Sequence, residues 1–322
     1  MSLSKRILAA VTSIVVVVNA FSIFSTASRQ DETAEEVLTV VEYCSETGKE
    51  VYKTLDLKTL KEEIEKKRIE LGLTAEEMDS PFIPEGVAIA KDQKDPRNQK
   101  DIIDGTWTMV TDVNEFPYRS ILAMKMCWIE DGVERWYFGT GFLEGFDVVA
   151  TAGHNMWDET NGWVHECRFF VRQDSAYYSG TDYYHPYSWT CASNYTQSGD
   201  SRYDWCAVTL WDNLGSSNGW FGKSWSSGSI DSLSVTLSGY PLYWGRQYTG
   251  SGVTSNSTYY TVRYNIDTLP GNSGSPVYTP DYKVKAIHTG SYDSFTNRGN
   301  RITEWLYGIL QEKYEAGYEI YG

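Results

Sequence analysis

The chain of 322 residues is 41% hydrophobic, which suffices for a sizeable core in one large domain or two. Its formal net charge of -15 at pH 7 and pI near 4.7 argue against nucleic acid as a partner, because phosphate binding needs a basic face and counterion release. Disorder is not expected at this apolar content.

Lys5 and Arg6 precede an apolar run, ILAAVTSIVVVVNAFSIF, from Ile7 to Phe24, and the small residues Ser25-Thr26-Ala27 suit a signal peptidase. This pattern predicts a secretory signal over 1–27, with an uncleaved membrane anchor as the alternative for a run of that length. From about Ser28 to Lys100 the chain is dense in Glu and Lys. Thr59-Leu-Lys-Glu62 reads as a capping box opening the amphipathic helix KEEIEKKRIELGL, with Gly72 as its stop. Pro81, Pro84, Pro96 and the charged KDQKDPRNQKD predict a linker, so a boundary falls near Lys100. Residues 28–100 therefore read as a partly helical propeptide, and residues 101–322 as the principal domain.

Past Lys100 the composition turns to Tyr, Trp, Ser, Gly and Asn, in short alternating runs between turn signals. YFGTGFLEGFDVVATAGH reads as strand, turn at Gly145, strand. DWCAVTLW, SLSVTLSGY, STYYTVRYNI and YKVKAIHTG read as further strands. Such spacing predicts an all-β barrel or sandwich. TEWLYGILQEKYEAG alone has helical spacing, with Trp305, Leu306, Ile309 and Leu310 on one face. The cysteines, Cys44, Cys127, Cys167, Cys191 and Cys206, lack metal-type spacing and the histidines are scattered, so neither a metal nor a cofactor is expected. If Cys44 leaves with the propeptide, four remain; Cys167 with Cys191 is the pairing expected first.

The chemistry lies in three places. A serine hydroxyl needs an imidazole to take its proton, and the imidazole needs a carboxylate to fix its tautomer. His154 closes the strand VVATAG, Asp204 opens DWCAVTL, and DTLPGNSGSPV from Asp267 to Val277 holds two serines. Taken singly, His154 reads as a structural histidine and Asp204 as a turn residue. The order His, Asp, Ser is that of the chymotrypsin class and differs from subtilisin-like and α/β-hydrolase orders.

TAGH at 151–154, YDWCAV at 203–208 and GNSGSPV at 271–277 resemble the catalytic blocks of chymotrypsin-fold bacterial serine proteases, and more narrowly those of the glutamyl endopeptidases, a branch that includes the exfoliative toxins. FPYRSI at 116–121, IDT at 266–268, IHTG at 287–290 and RIT at 301–303 extend the likeness over about 101–322. The resemblance implies two six-stranded antiparallel β-barrels with a C-terminal helix. It implies His154, Asp204 and Ser273 as the triad, with Ser273 as nucleophile, and the amides of Gly271 and Ser273 as the oxyanion hole. Partners implied are protein or peptide substrates, the chain's own propeptide as intramolecular inhibitor and an activating protease cutting between Lys100 and Asp101. A monomer is expected, with no membrane contact once the signal is gone.

For the bond cut, two readings stand. Counting back from Ser273, Asp267 lies where trypsin-like enzymes bind Arg or Lys. His288, with Thr268 and Ser291, would instead make a polar pocket for a glutamate side chain, because a nearby carboxylate raises a histidine's pKa. A catalytically silent or toxin-like secreted protein on the same fold is a further alternative. Neutral Asn272 stands where chymotrypsin's aspartate pairs with the freed N-terminal ammonium, so activation must work differently; the resemblance places that amine near the glutamate pocket.

Overall fold

A computed structural model describes residues 35–90, 107–174, 182–241 and 245–322. The signal read at 1–27 and the cut at Lys100–Asp101 lie outside them. The strands in chain order are β1 (Val37–Cys44), β2 (Lys49–Asp56), β3 (Trp107–Met109), β4 (Ile121–Glu130), β5 (Val133–Leu143), β6 (Val148–Thr151), β7 (Trp157–Asp158), β8 (Gly162–Trp163) and β9 (Glu166–Val171). They continue as β10 (Pro186–Ala192), β11 (Cys206–Leu210), β12 (Gly222–Lys223), β13 (Ser234–Gly239), β14 (Tyr248–Ser255), β15 (Thr261–Tyr264), β16 (Pro276–Tyr278), β17 (Lys283–Ser291) and β18 (Asn297–Arg301).

The second barrel closes on itself. Its order is β17-β16-β13-β14-β15-β18, every neighbouring pair is antiparallel, and β18 returns to β17. Alternation fills it: Val235 and Leu237 of β13, Val262 and Tyr264 of β15, Val277 and Ala286 all point into one buried cluster. In the first barrel the order is β10-β11-β6-β5-β4-β9. Phe169 and Tyr184 join its ends by exchanging N–H···O bonds of 2.9 Å. The two six-stranded barrels expected are thus present, and every strand read from the sequence is found.

The segment 35–90 holds more than the helix expected of it. β1 and β2 form a hairpin, and β1 pairs with β10 from Val40 opposite Ala192 to Cys44 opposite Ser188, giving an eight-stranded sheet. The sequence hides this hairpin because β2, KEVYKTLD, is mostly exposed and carries no apolar alternation. The helix runs Leu57–Leu71, three residues ahead of the start expected from a Thr59 cap. Its cap is Asp56, whose carboxylate accepts from the Thr59 amide at 2.8 Å; the capping box lies instead at Thr74 and Glu77, in the short helix Ala75–Asp79. Gly72 ends the first helix in the left-handed region, φ 71°, as expected.

The C-terminal helix Glu304–Tyr321 is capped by Thr303 and buries Trp305, Leu306, Ile309 and Leu310, the face read from the sequence. Its Gly308 receives Leu60 of the 57–71 helix; a Cβ there would stand 2.7 Å from Leu60 Cδ2. The Cys167–Cys191 bond expected is not formed. All five cysteines are free thiols, and Cys191 stands opposite Cys206 across β10 and β11. Burial pushes the Cys167 and Cys191 thiols well up, which keeps them protonated and unreactive.

Candidate active site

His154 sits in a single 3-10 turn, Gly153–Asn155, at the end of the wholly buried β6. Asp204 precedes β11, the antiparallel neighbour of β6, so the pairing of two short strands brings histidine and carboxylate together. Asp204 grips at two points: Oδ2 lies 2.8 Å from His154 Nδ1, and Oδ1 accepts from the His154 backbone amide at 2.9 Å. Its side chain is 9% exposed, that of His154 34%. Burial disfavours the charged imidazole, but the charge and hydrogen bond of Asp204 outweigh burial and raise the His154 pKa above its ordinary value. A ring held by Nδ1 leaves Nε2 free to take a proton.

Ser273 lies on the loop between β15 and β16, and first-barrel side chains hold that loop from below. Its carbonyl accepts from the Thr140 amide at 2.8 Å and from Asn155 Nδ2 at 2.9 Å. Thr140 Oγ1 donates to the Gly271 carbonyl at 2.8 Å, and Thr151 Oγ1 donates to the Thr140 carbonyl at 2.7 Å. Gly274 has φ 89° and sits so close that a Cβ would stand 1.9 Å from the Thr140 carbonyl oxygen, so both shape and space require glycine. Asn155 follows His154 directly. The loop and the histidine are thereby tied to one another, although no hydrogen bond joins Ser273 Oγ to His154 among the described residues. The carbonyls of Gly271 and Ser273 are occupied from the first barrel, while their amides donate to no protein acceptor among the described residues.

His288 is stitched to the same loop: its carbonyl accepts from the Gly274 amide at 2.8 Å and its amide donates to the Ser275 carbonyl at 2.9 Å. The ring is 2% exposed, with Nδ1 2.7 Å from the Tyr264 hydroxyl. Burial, reinforced by the nearby His154, pushes its pKa down to about 3, so it is neutral over the physiological range. Thr268 is half-buried on the approach to Ser273, and Ser291 is exposed at the end of β17. No hydrogen bond links Thr268, His288 and Ser291 among the described residues. Asp267, the residue of the trypsin-like alternative, is buried.

Sequence reasoning missed Tyr264, Thr140, Thr151 and Asn155. Only the Asn155 position, next to a candidate histidine, carried a signal. Thr140 and Thr151 lie inside strands, where β-branched residues are expected for packing alone.

Residues 139–287 match the model of the trypsin-like peptidase domain, a span that includes His154, Asp204 and Ser273. The chain is 32% identical over 225 residues to the glutamyl endopeptidase of Bacillus licheniformis, which covers 63% of this chain and 65% of that protein. It is 30% identical over 216 residues to the extracellular metalloprotease of Bacillus subtilis, covering 63% and 66%. It therefore spans just under two thirds of the length of either relative. Among solved structures it is similar to a Glu endopeptidase in complex with MPD, with TM-score 0.57 at 20% identity over 65% of this chain and 96% of that one. Protease Anisep from Arthrobacter nicotinovorans gives TM-score 0.53 at 16% identity, over 64% and 99%. These likenesses agree with the two barrels: the chain has a chymotrypsin-like fold and is similar to the trypsin-like peptidases, the glutamyl endopeptidases among them.

Proposed function

We propose that this chain is an exported serine endopeptidase, made as a zymogen, that cleaves after glutamate and less well after aspartate. The observation that supports it most is the two-point grip of Asp204 on His154 beside a loop whose serine is fixed through its carbonyl. Ser273 Oγ attacks the scissile carbonyl as His154 Nε2 takes its proton, and the oxyanion forms against the Gly271 and Ser273 amides. His154 then protonates the leaving amine, and water, deprotonated by the same nitrogen, releases the acyl group from Ser273.

For specificity, a protonated Tyr264 hydroxyl can donate to His288 Nδ1, which leaves the single ring proton on Nε2 for a substrate carboxylate. Burial keeps the Tyr264 phenol protonated by raising its pKa well above the ordinary value. Thr268 adds a hydroxyl, and Ser291 and the amine freed at Asp101 are candidates for the rim. An extra residue at that N-terminus is then expected to impair cleavage after glutamate. One methylene in a fitted pocket changes binding by about 1 to 3 kcal/mol, which ranks aspartate below glutamate. Export is supported by the 1–27 pattern and by the extracellular relative. None of the described helices is long and apolar enough to cross a membrane.

The test is a peptide panel differing only in Glu, Asp, Arg or Phe before the scissile bond, run on secreted enzyme whose N-terminus has been sequenced. Preference for glutamate is expected, and Ser273→Ala should reduce turnover to background with the fold intact. Preference for Arg would move the pocket to Asp267, and turnover by Ser273→Ala would end the triad assignment.

A further inference from the structure

The segment 35–90 is built into the peptidase domain along four separate elements. β1 supplies the neighbour that the edge of β10 lacks over Ser188–Ala192, and Val41 on it is 0% exposed. Ser45 extends this pairing by donating its amide and its hydroxyl to the Tyr187 carbonyl on β10. On the C-terminal helix, Leu60 packs against Gly308, Trp305 Nε1 donates to the Glu35 carbonyl at 2.8 Å, and Tyr307 donates to Asp79 at 2.6 Å. Lys61 pairs with Glu304, and Lys67 with Glu319. Further on, Phe82 and Trp220 exchange backbone hydrogen bonds of 3.0 Å and stack at 4.3 Å. Finally, Phe116 donates its amide to the Ala88 carbonyl and accepts from the Ala90 amide.

Detaching this segment would leave bare a strand edge, an apolar helix face and one fully buried cation. Lys223, 1% exposed, donates to the Met78 carbonyl at 3.4 Å on one side and faces Glu144 at 3.7 Å on the other. An unpaired strand edge and an apolar helix face turned to water both disfavour the separated state. None of the elements the segment covers carries His154, Asp204, Ser273 or His288.

We infer that residues 35–90 are a strand-donating partner of the peptidase domain that stays bound, without a covalent link, after the chain is cut between 91 and 106. The segment acts as a part of the fold and leaves the catalytic cleft uncovered. This rests on the propeptide reading only for the place of the cut, so the test supplies its own cut and needs no activity. The full chain carrying Ser273→Ala and a recognition sequence for an added site-specific protease within 91–106 is cleaved and run on size exclusion with intact-mass detection. Both pieces are expected in one peak at the elution volume of the uncut chain, separating only in denaturant. Separation in native buffer would overturn the inference. Val41→Asp in the same cut chain is expected to release the segment. Should that variant not fold, Lys61→Ala with Lys67→Ala and Asp79→Asn, on the helix side, is expected to lower the denaturant concentration at which the pieces part. Parting at an unchanged concentration would show that these contacts do not hold the segment, and would overturn it as well.

Discussion

The Tyr264 hydroxyl lies 2.7 Å from His288 Nδ1, and under the proposed glutamate specificity this contact would set which ring nitrogen meets the substrate carboxylate. Tyr264→Phe removes the donor and frees the tautomer while keeping the ring in the second barrel's core. Losing such a buried hydrogen bond costs about 1 to 2 kcal/mol, or roughly 5- to 30-fold. That loss is expected in KM for glutamate peptides, with kcat changed less; an equal fall in kcat for every peptide would place Tyr264 in the fold rather than in specificity. The proposed triad is readable in the sequence because each member stands in a short local motif. Tyr264, Thr140 and Asn155 are not, since the groups they hold lie 24, 131 and 118 residues away. His154 has a consequence in pH as well. The base must be neutral to act, and Asp204 raises its pKa, so kcat/KM is expected to rise with pH through a midpoint above the ordinary histidine value of 6.5. A midpoint at or below that value, read from kcat/KM against pH, would count against the Asp204 grip in the free enzyme.

Hairpin, helix and C-terminal helix form one layered unit behind the first barrel. Its local signals differ in how much the sequence shows. Gly72 ends its helix where the sequence predicts, because a left-handed stop depends on one residue. The start does not, because Asp56 and Thr59 both offer plausible caps and the choice is made by where β2 runs into the helix at Leu57. β1 carries a buried stripe, but its neighbour β10 comes about 150 residues later, and nothing local points to it. The interface at Leu60 is tight enough to test. Leu60→Ala opens a cavity against Gly308 and is expected to cost about 2 to 5 kcal/mol, whereas Asp56→Ala, at the exposed cap of the same helix, is expected to cost less. Denaturant midpoints of the two variants should fall in that order. Equal, small shifts would mean that the helix frays without disturbing the barrel.

Across the whole molecule, charge is distributed so that stability leans on the acid side of neutrality. Glu144 is fully buried; burial pushes its pKa up to about 8 even though Lys223 opposes the shift, and burial pushes Lys223 down. Glu315 on the C-terminal helix is raised to about 8 as well, by burial and then by Glu312. Glu42 goes the other way, to about 2, drawn down chiefly by Lys313 against the opposing effect of burial, with Lys53 assisting. A raised carboxyl pKa gives stability that is complete below the ordinary value of 4.5 and is lost as pH climbs through about 8. A lowered one gives stability that is complete above 4.5 and is lost as pH falls toward 2. Together these place the maximum near pH 5, with the decline toward pH 8.5 steepened by a net charge that is already -15 at neutrality. Glu144→Gln keeps the shape and removes the ionisation, so it is expected to leave the urea midpoint at pH 5 almost unchanged and to raise it at pH 8.5. A variant weakened equally at both pH values would show that the Lys223–Glu144 contact stabilises as an ion pair, and that burial does not hold the two groups toward their neutral forms.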